Sequence, residues 1–208
     1  MSRYKHKIME RFLSAEELER VGAALDRLEA SAEGYRFPLA AIRLLILTGA
    51  RRNEILTLKW SEVDLDRARL LLGDSKTGQK TIHLNEGAVA VLRALPRLRS
   101  NPYVIPGRKT GTHLANLHNA WEEVRIAAKI GECRIHDLRH SFASLAVDAG
   151  ASLPMIGKLL GHSQPRTTAR YAHLSDTTVR DLNERIGTII TGAMITKAPP
   201  AKDPGEDT

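Results

Sequence analysis

The segment at residues 37–48, FPLAAIRLLILT, is apolar at nearly every position. A surface helix needs only one apolar stripe, whereas a helix that is apolar around most of its circumference has to be buried. Gly49 follows directly and interrupts the segment. The sequence therefore predicts a buried helix over residues 37–48 that ends at Gly49.

The rest of the chain is predicted to be mostly helical. Ser14 and Glu17 have the spacing of a capping box before an amphipathic helix. Residues 68–85, ARLLLGDSKTGQKTIHLN, form the one clear β element, in which two apolar runs flank a Lys-Thr-Gly turn, as in a hairpin. Further helices are predicted at 51–58, 86–95, 114–130, 136–149, 153–160 and 177–190, with Gly150 and Gly161 as helix stops. The predicted fold class is mostly α with a small antiparallel β-sheet (α+β).

The composition narrows the class of protein. Cys133 is the one cysteine, which excludes an internal disulfide and a CxxC metal pair, and agrees with a reducing compartment such as the cytoplasm. No run of about 18 apolar residues is present to span a membrane. The basic N-terminus lacks the apolar segment of a signal peptide. The net charge of +7, with no acidic residue in 87–121, predicts a nucleic-acid partner.

Two short motifs carry charged side chains at helical spacing. In TGARRNEI, Arg51 and Glu54 are three residues apart, so the carboxylate can orient the guanidinium; alone, the pair equally fits a surface ion pair. In HDLRH, His136 and Arg139 share a helix face that suits an anionic oxygen. His136 and His140 also have the spacing of a zinc helix, but the glutamate of the metalloprotease pattern is missing and no third ligand is evident.

Three further residues are candidates by position. Lys76 lies at the hairpin turn, where a lysine is usually solvated but can reach over a cleft as a proton donor. His162 follows Gly161, and Tyr171 lies in LGHSQPRTTARYAHL, a stretch without any acidic residue. Taken alone, a tyrosine in such a stretch is more often a packed aromatic than a nucleophile.

Together, the motifs resemble the catalytic domain of the tyrosine recombinase (phage integrase) family over residues 12–190. The matching segments are TGARRNEI, SKTGQKTIHL, HDLRHSFASLAVDAG and LGHSQPRTTARYAHL. The resemblance implies six catalytic residues and two supporting ones: Arg51, Lys76, His136, Arg139, His162 and Tyr171, supported by Glu54 and His140. Lys80 competes with Lys76 for the role of the family's hairpin lysine.

The resemblance also implies a reaction. Tyr171 would attack a DNA phosphodiester and form a 3′-phosphotyrosyl link, while paired guanidinium donors stabilise the charge on the phosphoryl oxygens. Lys76 would protonate the leaving 5′-oxygen. A carboxylate beside Tyr171 would disfavour its phenolate and repel the phosphate, which agrees with the acid-free stretch. The family's chemistry requires neither a metal, nor ATP, nor any other cofactor.

The expected organisation is an isolated catalytic domain. Residues 1–13 are interpreted as the remnant of a linker, 14–192 as the catalytic domain and 193–208 as a disordered tail. The expected partner is double-stranded DNA, bound weakly and salt-sensitively by a chain that is monomeric without DNA and whose full-length protein forms a tetrameric synapse. The expected location is the cytoplasm, with a prokaryotic, phage or mobile-element origin. A nicking-closing enzyme like the type IB topoisomerases and a catalytically silent DNA-binding regulator remain open alternatives.

Overall fold

The computed structural model describes residues 11–31, 33–75, 78–161, 165–174, 183–184 and 186–188. Its helices are α1 (Ala15–Ser31), α2 (Arg36–Thr48), α3 (Arg52–Leu56), α4 (Glu86–Ala94), α5 (His118–Ala127), α6 (Asp137–Asp148), α7 (Leu153–Leu160) and α8 (Pro165–Thr168), with 3₁₀ turns at Glu33–Tyr35, Trp60–Glu62 and Ala169–Leu174. Its strands are β1 (Val63–Asp64), β2 (Arg69–Ser75) and β3 (Gly78–His83). The predicted fold class, mostly α with a small antiparallel sheet, is confirmed.

Helix α2 is buried at the centre of the main core, as its apolar sequence predicts. Leu39, Ile42 and Leu44 are completely buried, and α2 contacts α1, α3, α4, α5 and α6. The helix ends at Gly49, whose φ of 60° is in the left-handed region and whose N–H donates to Leu45 O at 3.1 Å. This conformation favours glycine, because a Cβ would crowd the backbone.

The capping box at the start of α1 is confirmed. The backbone N–H of Ser14 donates to Glu17 Oε2, and the backbone N–H of Glu17 donates to Ser14 Oγ, both at 3.2 Å. Just before this box, Leu13 is buried and its N–H donates to Ser141 Oγ at 2.9 Å. The packed part of the described chain therefore already includes Leu13.

The three strands form one antiparallel sheet in the order β1-β2-β3, which confirms the predicted hairpin of β2 and β3. Strand β1 was not predicted, because two residues are too short to show an alternating pattern. Along β3, Lys80 and Ile82 are buried while their neighbours in sequence are exposed. Lys80 therefore shares the inward face of the hairpin with apolar side chains.

A second, smaller apolar cluster joins α6, α7 and the 3₁₀ turn at Ala169–Leu174. Its buried members are Ala143, Val147, Ile156, Leu160 and Tyr171. Helix α7 ends at Gly161, with φ of 65°, and Gly150 follows α6 with φ of 83°, at the two predicted stops.

Some predicted bounds shift or fall outside the described residues. Helix α5 begins at His118 rather than at residue 114, and α6 begins at Asp137, with His136 as its N-cap. Of the predicted helix at 177–190, the structure describes only 183–184 and 186–188, and those residues are helical. The predicted tail at 193–208 and residues 1–10 lie outside the described ranges. No helix within these ranges is long and apolar enough to cross a membrane.

Candidate active site

The candidate site is a cleft of about 1110 Å³ between α3, the hairpin and the start of α6. Arg51, Glu54, His136 and Arg139 all line it. These four residues come from two motifs that are far apart in the sequence, and the packing of α2 against both α3 and α6 brings them together.

Arg51 lies at the N-cap position of α3, and its side chain is 43% exposed. Arg51 Nη1 donates to Glu54 Oε1 at 2.9 Å, and the backbone N–H of Arg51 donates to Glu54 Oε2 at 2.8 Å. The carboxylate thus holds both the backbone and the guanidinium of the same arginine. The three-residue spacing predicts this contact, and α3 provides it.

Lys80 makes a third hydrogen bond to the Glu54 carboxylate. Its Nζ donates to Glu54 Oε2 at 2.7 Å, and only 6% of its side chain is exposed. Burial alone would raise the pKa of the Glu54 carboxyl, but the hydrogen bonds from Lys80 and Arg51 hold that pKa below its ordinary value of 4.5. Burial lowers the pKa of Lys80, although its hydrogen bond to Glu54 opposes that shift.

Arg139 is buried at the cleft with only 5% of its surface exposed. Its Nη1 donates to Gly49 O at 2.6 Å and its Nη2 donates to Leu160 O at 2.8 Å, so the guanidinium links the ends of α2 and α7. Burial and the charge of Arg51 lower the pKa of Arg139 to about 10, while Glu54 opposes this shift. A guanidinium has five N–H donors, so these two contacts leave donors for a ligand in the cleft.

A hydrogen bond involving His140 connects helix α6 to Tyr171. His136 is exposed at the start of α6, and its ring lies edge-on to the His140 ring at a centroid distance of 5.0 Å. A hydrogen bond of 2.9 Å joins His140 Nδ1 to Tyr171 Oη. Tyr171 is only 2% exposed and is not among the residues that line the cleft.

The structure therefore gathers part of the predicted set. Arg51, Glu54, His136 and Arg139 share the cleft, and His140 connects α6 to the buried Tyr171. Lys76 and His162 lie outside the described residues. Within the described ranges, no three side chains of His, Cys, Asp or Glu are arranged to hold a metal ion.

Lys80 is the residue whose contact the sequence interpretation missed, since it was considered only as a competitor of Lys76. The available signal was its register: Lys80 lies two residues before Ile82, on the same inward face of β3, where a lysine needs a buried partner. Gly161 packs against the Lys80 side chain, and a Cβ at this position would lie only 2.2 Å from Lys80 Cε.

Comparisons with known proteins agree with these motifs. The sequence profile of the phage integrase family matches residues 11–178. Tyrosine recombinase XerD of Caulobacter vibrioides is 31% identical over 182 residues, which cover 81% of this chain and 58% of that protein. The chain spans roughly half the length of the relatives that it matches.

Solved structures share the fold. The catalytic domain of bacteriophage HP1 integrase has a TM-score of 0.60 at 23% identity, over 83% of this chain and 93% of that one. XerH site-specific recombinase, bound to its palindromic difH substrate, has a TM-score of 0.69 at 22% identity, over 88% of this chain and 55% of that one. With the family profile matching most of its length, the chain belongs to the phage integrase family.

Proposed function

We propose that the chain is the catalytic domain of a site-specific DNA recombinase or integrase, which cleaves and rejoins DNA through a 3′-phosphotyrosyl intermediate without metal or ATP. The observation that carries the proposal is the convergence of Arg51 and Arg139 on one cleft that His136 also lines. Two guanidinium groups provide the planar, paired donors that suit a phosphodiester. Family membership supports the same reaction.

In this proposal the arginines stabilise the transition state. Attack on phosphorus adds negative charge to the non-bridging oxygens, and donors held in place before the reaction stabilise that charge best. Arg139 is fixed by Gly49 O and Leu160 O, and Arg51 is fixed by Glu54. Both therefore enter the reaction with little reorganisation.

Tyr171 is the proposed nucleophile. Its oxygen attacks phosphorus, the phosphorus–O5′ bond breaks, and His136 or His162 accepts the phenolic proton while Lys76 protonates the leaving oxygen. In the structure, Tyr171 Oη contacts His140 rather than the cleft. We take this as the conformation before DNA binds, from which the side chain leaves the small apolar cluster to reach the phosphate. The reverse attack by a 5′-hydroxyl then rejoins the strand.

The remaining assignments also belong to the proposal. The partner is double-stranded DNA, the chain is monomeric without DNA, and the full-length protein forms a tetrameric synapse. The catalytic domain comprises residues 14–192, it acts in the cytoplasm, and its origin is a prokaryote, a phage or a mobile element.

A covalent-capture experiment tests this function. The protein is incubated with nicked duplexes that carry randomised sequence around the nick, and the products are separated on a denaturing gel. We expect a slowly migrating protein–DNA adduct, because loss of the short fragment beyond the nick prevents rejoining. Sequencing the captured DNA would also identify the target site.

The informative variant is Tyr171→Phe, which should form no adduct while its DNA affinity stays within about twofold, since only a hydroxyl is lost. Tyr35→Phe is the matched control and should form the adduct normally, because Tyr35 contacts Glu123 outside the cleft. An adduct with Phe at position 171 would refute the mechanism.

A further inference from the structure

Lys80 is a buried lysine whose charge points at the site rather than at solvent. It extends from the inward face of β3, opposite Leu72 of β2, and its Nζ lies 2.7 Å from Glu54 Oε2. The same carboxylate binds Arg51 through its backbone and its guanidinium. Glu54 is therefore a bridge between a hairpin lysine and a cleft arginine.

Burying an ammonium is costly, and the cost is offset only where the partner and the geometry are good. An apolar side chain could occupy this inward position of β3 without this cost, as Ile82 occupies the next inward position. The lysine also needs room made for it, because its Cε and Nζ lie close to Gly161. Packing alone therefore does not explain a lysine at this position. Its hydrogen bond to Glu54 is the contact that an apolar side chain would lack.

Without Lys80, Glu54 would face Arg51 with only part of its charge satisfied. Glu54 Oε2 accepts from both Lys80 Nζ and the backbone of Arg51, while Oε1 accepts from the guanidinium. Lys80 thus supplies one of these three hydrogen bonds, which hold the carboxylate in the orientation in which it contacts the Arg51 guanidinium.

We propose that Lys80 is a positioning residue of the active site, which holds the Glu54 carboxylate and, through it, the Arg51 guanidinium in place for the scissile phosphate. This role rests on the proposed function and is distinct from that of Lys76. Lys80 Nζ is engaged with Glu54, and its side chain is almost fully buried, so it does not protonate the leaving group.

The first test compares cleavage rates in single-turnover assays of the nicked duplex. We expect Lys80→Met to slow adduct formation about 10- to 100-fold with DNA affinity nearly unchanged, since small displacements of a reacting group have effects of this size. Lys80→Arg, which keeps a charged donor, should recover part of the rate. Lys129→Met is the control, because Lys129 is exposed and does not line the cleft. A Lys80→Met variant that cleaves at the normal rate would overturn the proposal.

The second test separates positioning from proton donation. A substrate whose bridging 5′-oxygen is replaced by sulfur has a leaving group that needs no proton. This substrate should restore cleavage by Lys76→Met but not by Lys80→Met. Full restoration of the Lys80→Met variant would make Lys80 the acid and overturn the positioning role.

The third test asks whether Lys80 acts through Glu54. If it does, the double variant Lys80→Met/Glu54→Gln should cleave no more than about twofold slower than Glu54→Gln alone, because residues that act as one unit are not additive. Defects that multiply would show that Lys80 acts by another route. Should the Met variant fail to fold, Lys80→Gln and Lys80→Arg take its place in each comparison.

An NMR measurement tests the contact between Lys80 and Glu54 independently of the proposed function. The carboxyl carbon of Glu54 is titrated in the unaltered chain and in Lys80→Arg and Lys80→Gln. Loss of the ammonium in Lys80→Gln should raise the pKa of Glu54, and Lys80→Arg should raise it less. If the unaltered chain forms no adduct on any duplex, the proposed function fails, and an unchanged Glu54 titration would independently refute the contact.

Discussion

Arg139 serves the fold and the site with one side chain. Its guanidinium satisfies the carbonyls of Gly49 and Leu160, which lie at the ends of two helices, and it also lines the cleft. Buried carbonyl groups need a donor, because an unsatisfied one costs about 1–3 kcal/mol. The position therefore demands a planar group with several donors rather than any cation.

The substitution Arg139→Lys tests this demand while it keeps the charge. We expect the free energy of unfolding to fall by about 1–3 kcal/mol, because one ammonium does not replace both hydrogen bonds. We also expect single-turnover cleavage to fall by about 100-fold or more, since the proposed function makes Arg139 a transition-state donor. Urea unfolding and the gel assay measure the two effects. Normal cleavage by this variant would make Arg139 a purely structural residue.

Glu54 should make stability depend on pH. Its folded-state pKa is lower than its ordinary value, so its ionised form stabilises the fold. The contribution is complete above the ordinary pKa of 4.5 and is lost as the pH falls through the lower folded value. Glu54→Gln should thus be less stable than the unaltered chain at pH 7, with the difference shrinking in acid. Urea unfolding across this range measures it, and a difference independent of pH would contradict the pairing.

At the scale of secondary-structure elements, the sequence predicted those features that depend on residues close together in the chain. The apolar run of α2, the capping box at Ser14 and the pairing of β2 with β3 each depend on neighbours in the sequence. Strand β1 has only two residues and pairs with β2, so nothing in its own sequence reveals it. The predicted spacing of Arg51 and Glu54 was also enough to give their contact.

The rest of the site depends on packing between distant segments. The contact of His140 with Tyr171 and that of Lys80 with Glu54 join residues 31 and 26 positions apart in the sequence. No periodic pattern in the sequence indicates contacts between residues so far apart in the chain. The family resemblance indicated Tyr171 as the candidate nucleophile, but it indicated neither the burial of Tyr171 nor its contact with α6.

The ends of α6 and α7 provide a matched pair of glycines. Gly161 and Gly150 both have positive φ, but a Cβ at Gly161 would collide with Lys80, whereas a Cβ at Gly150 would meet nothing within 4 Å. We expect Gly150→Ala to lose about 1 kcal/mol of unfolding free energy from backbone strain alone. Gly161→Ala should lose more and should also slow cleavage.

Urea unfolding and single-turnover cleavage of the two glycine variants provide the comparison. Gly150→Ala acts as the control for backbone strain, so the excess defect of Gly161→Ala measures the displacement of Lys80. Equal stability losses, with equal cleavage rates, would show that Lys80 adapts without consequence.

For the whole molecule, charge dominates the expected interaction with DNA. The chain has a net charge of +7, and residues 87–121 contain no acidic side chain. Binding through phosphate contacts releases counterions. The logarithm of the affinity therefore falls linearly with the logarithm of the salt concentration, with a slope of about −0.9 for each phosphate contacted. The domain by itself should therefore bind DNA weakly and with a steep slope.

Fluorescence anisotropy with a labelled duplex at several salt concentrations measures this slope. We expect the affinity to fall by about 1000-fold or more between 50 and 200 mM salt if about six phosphates are contacted. Nanomolar binding that is insensitive to salt would contradict binding dominated by phosphates.

The most direct measurement maps the residue that carries DNA in the captured adduct. The adduct is trimmed with nuclease, digested with trypsin and analysed by mass spectrometry. Trypsin cleaves after Arg170 and Arg180, so the peptide of residues 171–180 contains Tyr171 as its one tyrosine. We expect the nucleotide remnant on this tyrosine and on no other residue. A remnant on Tyr35, on Tyr103 or on a serine would contradict the assignment of Tyr171 as the nucleophile.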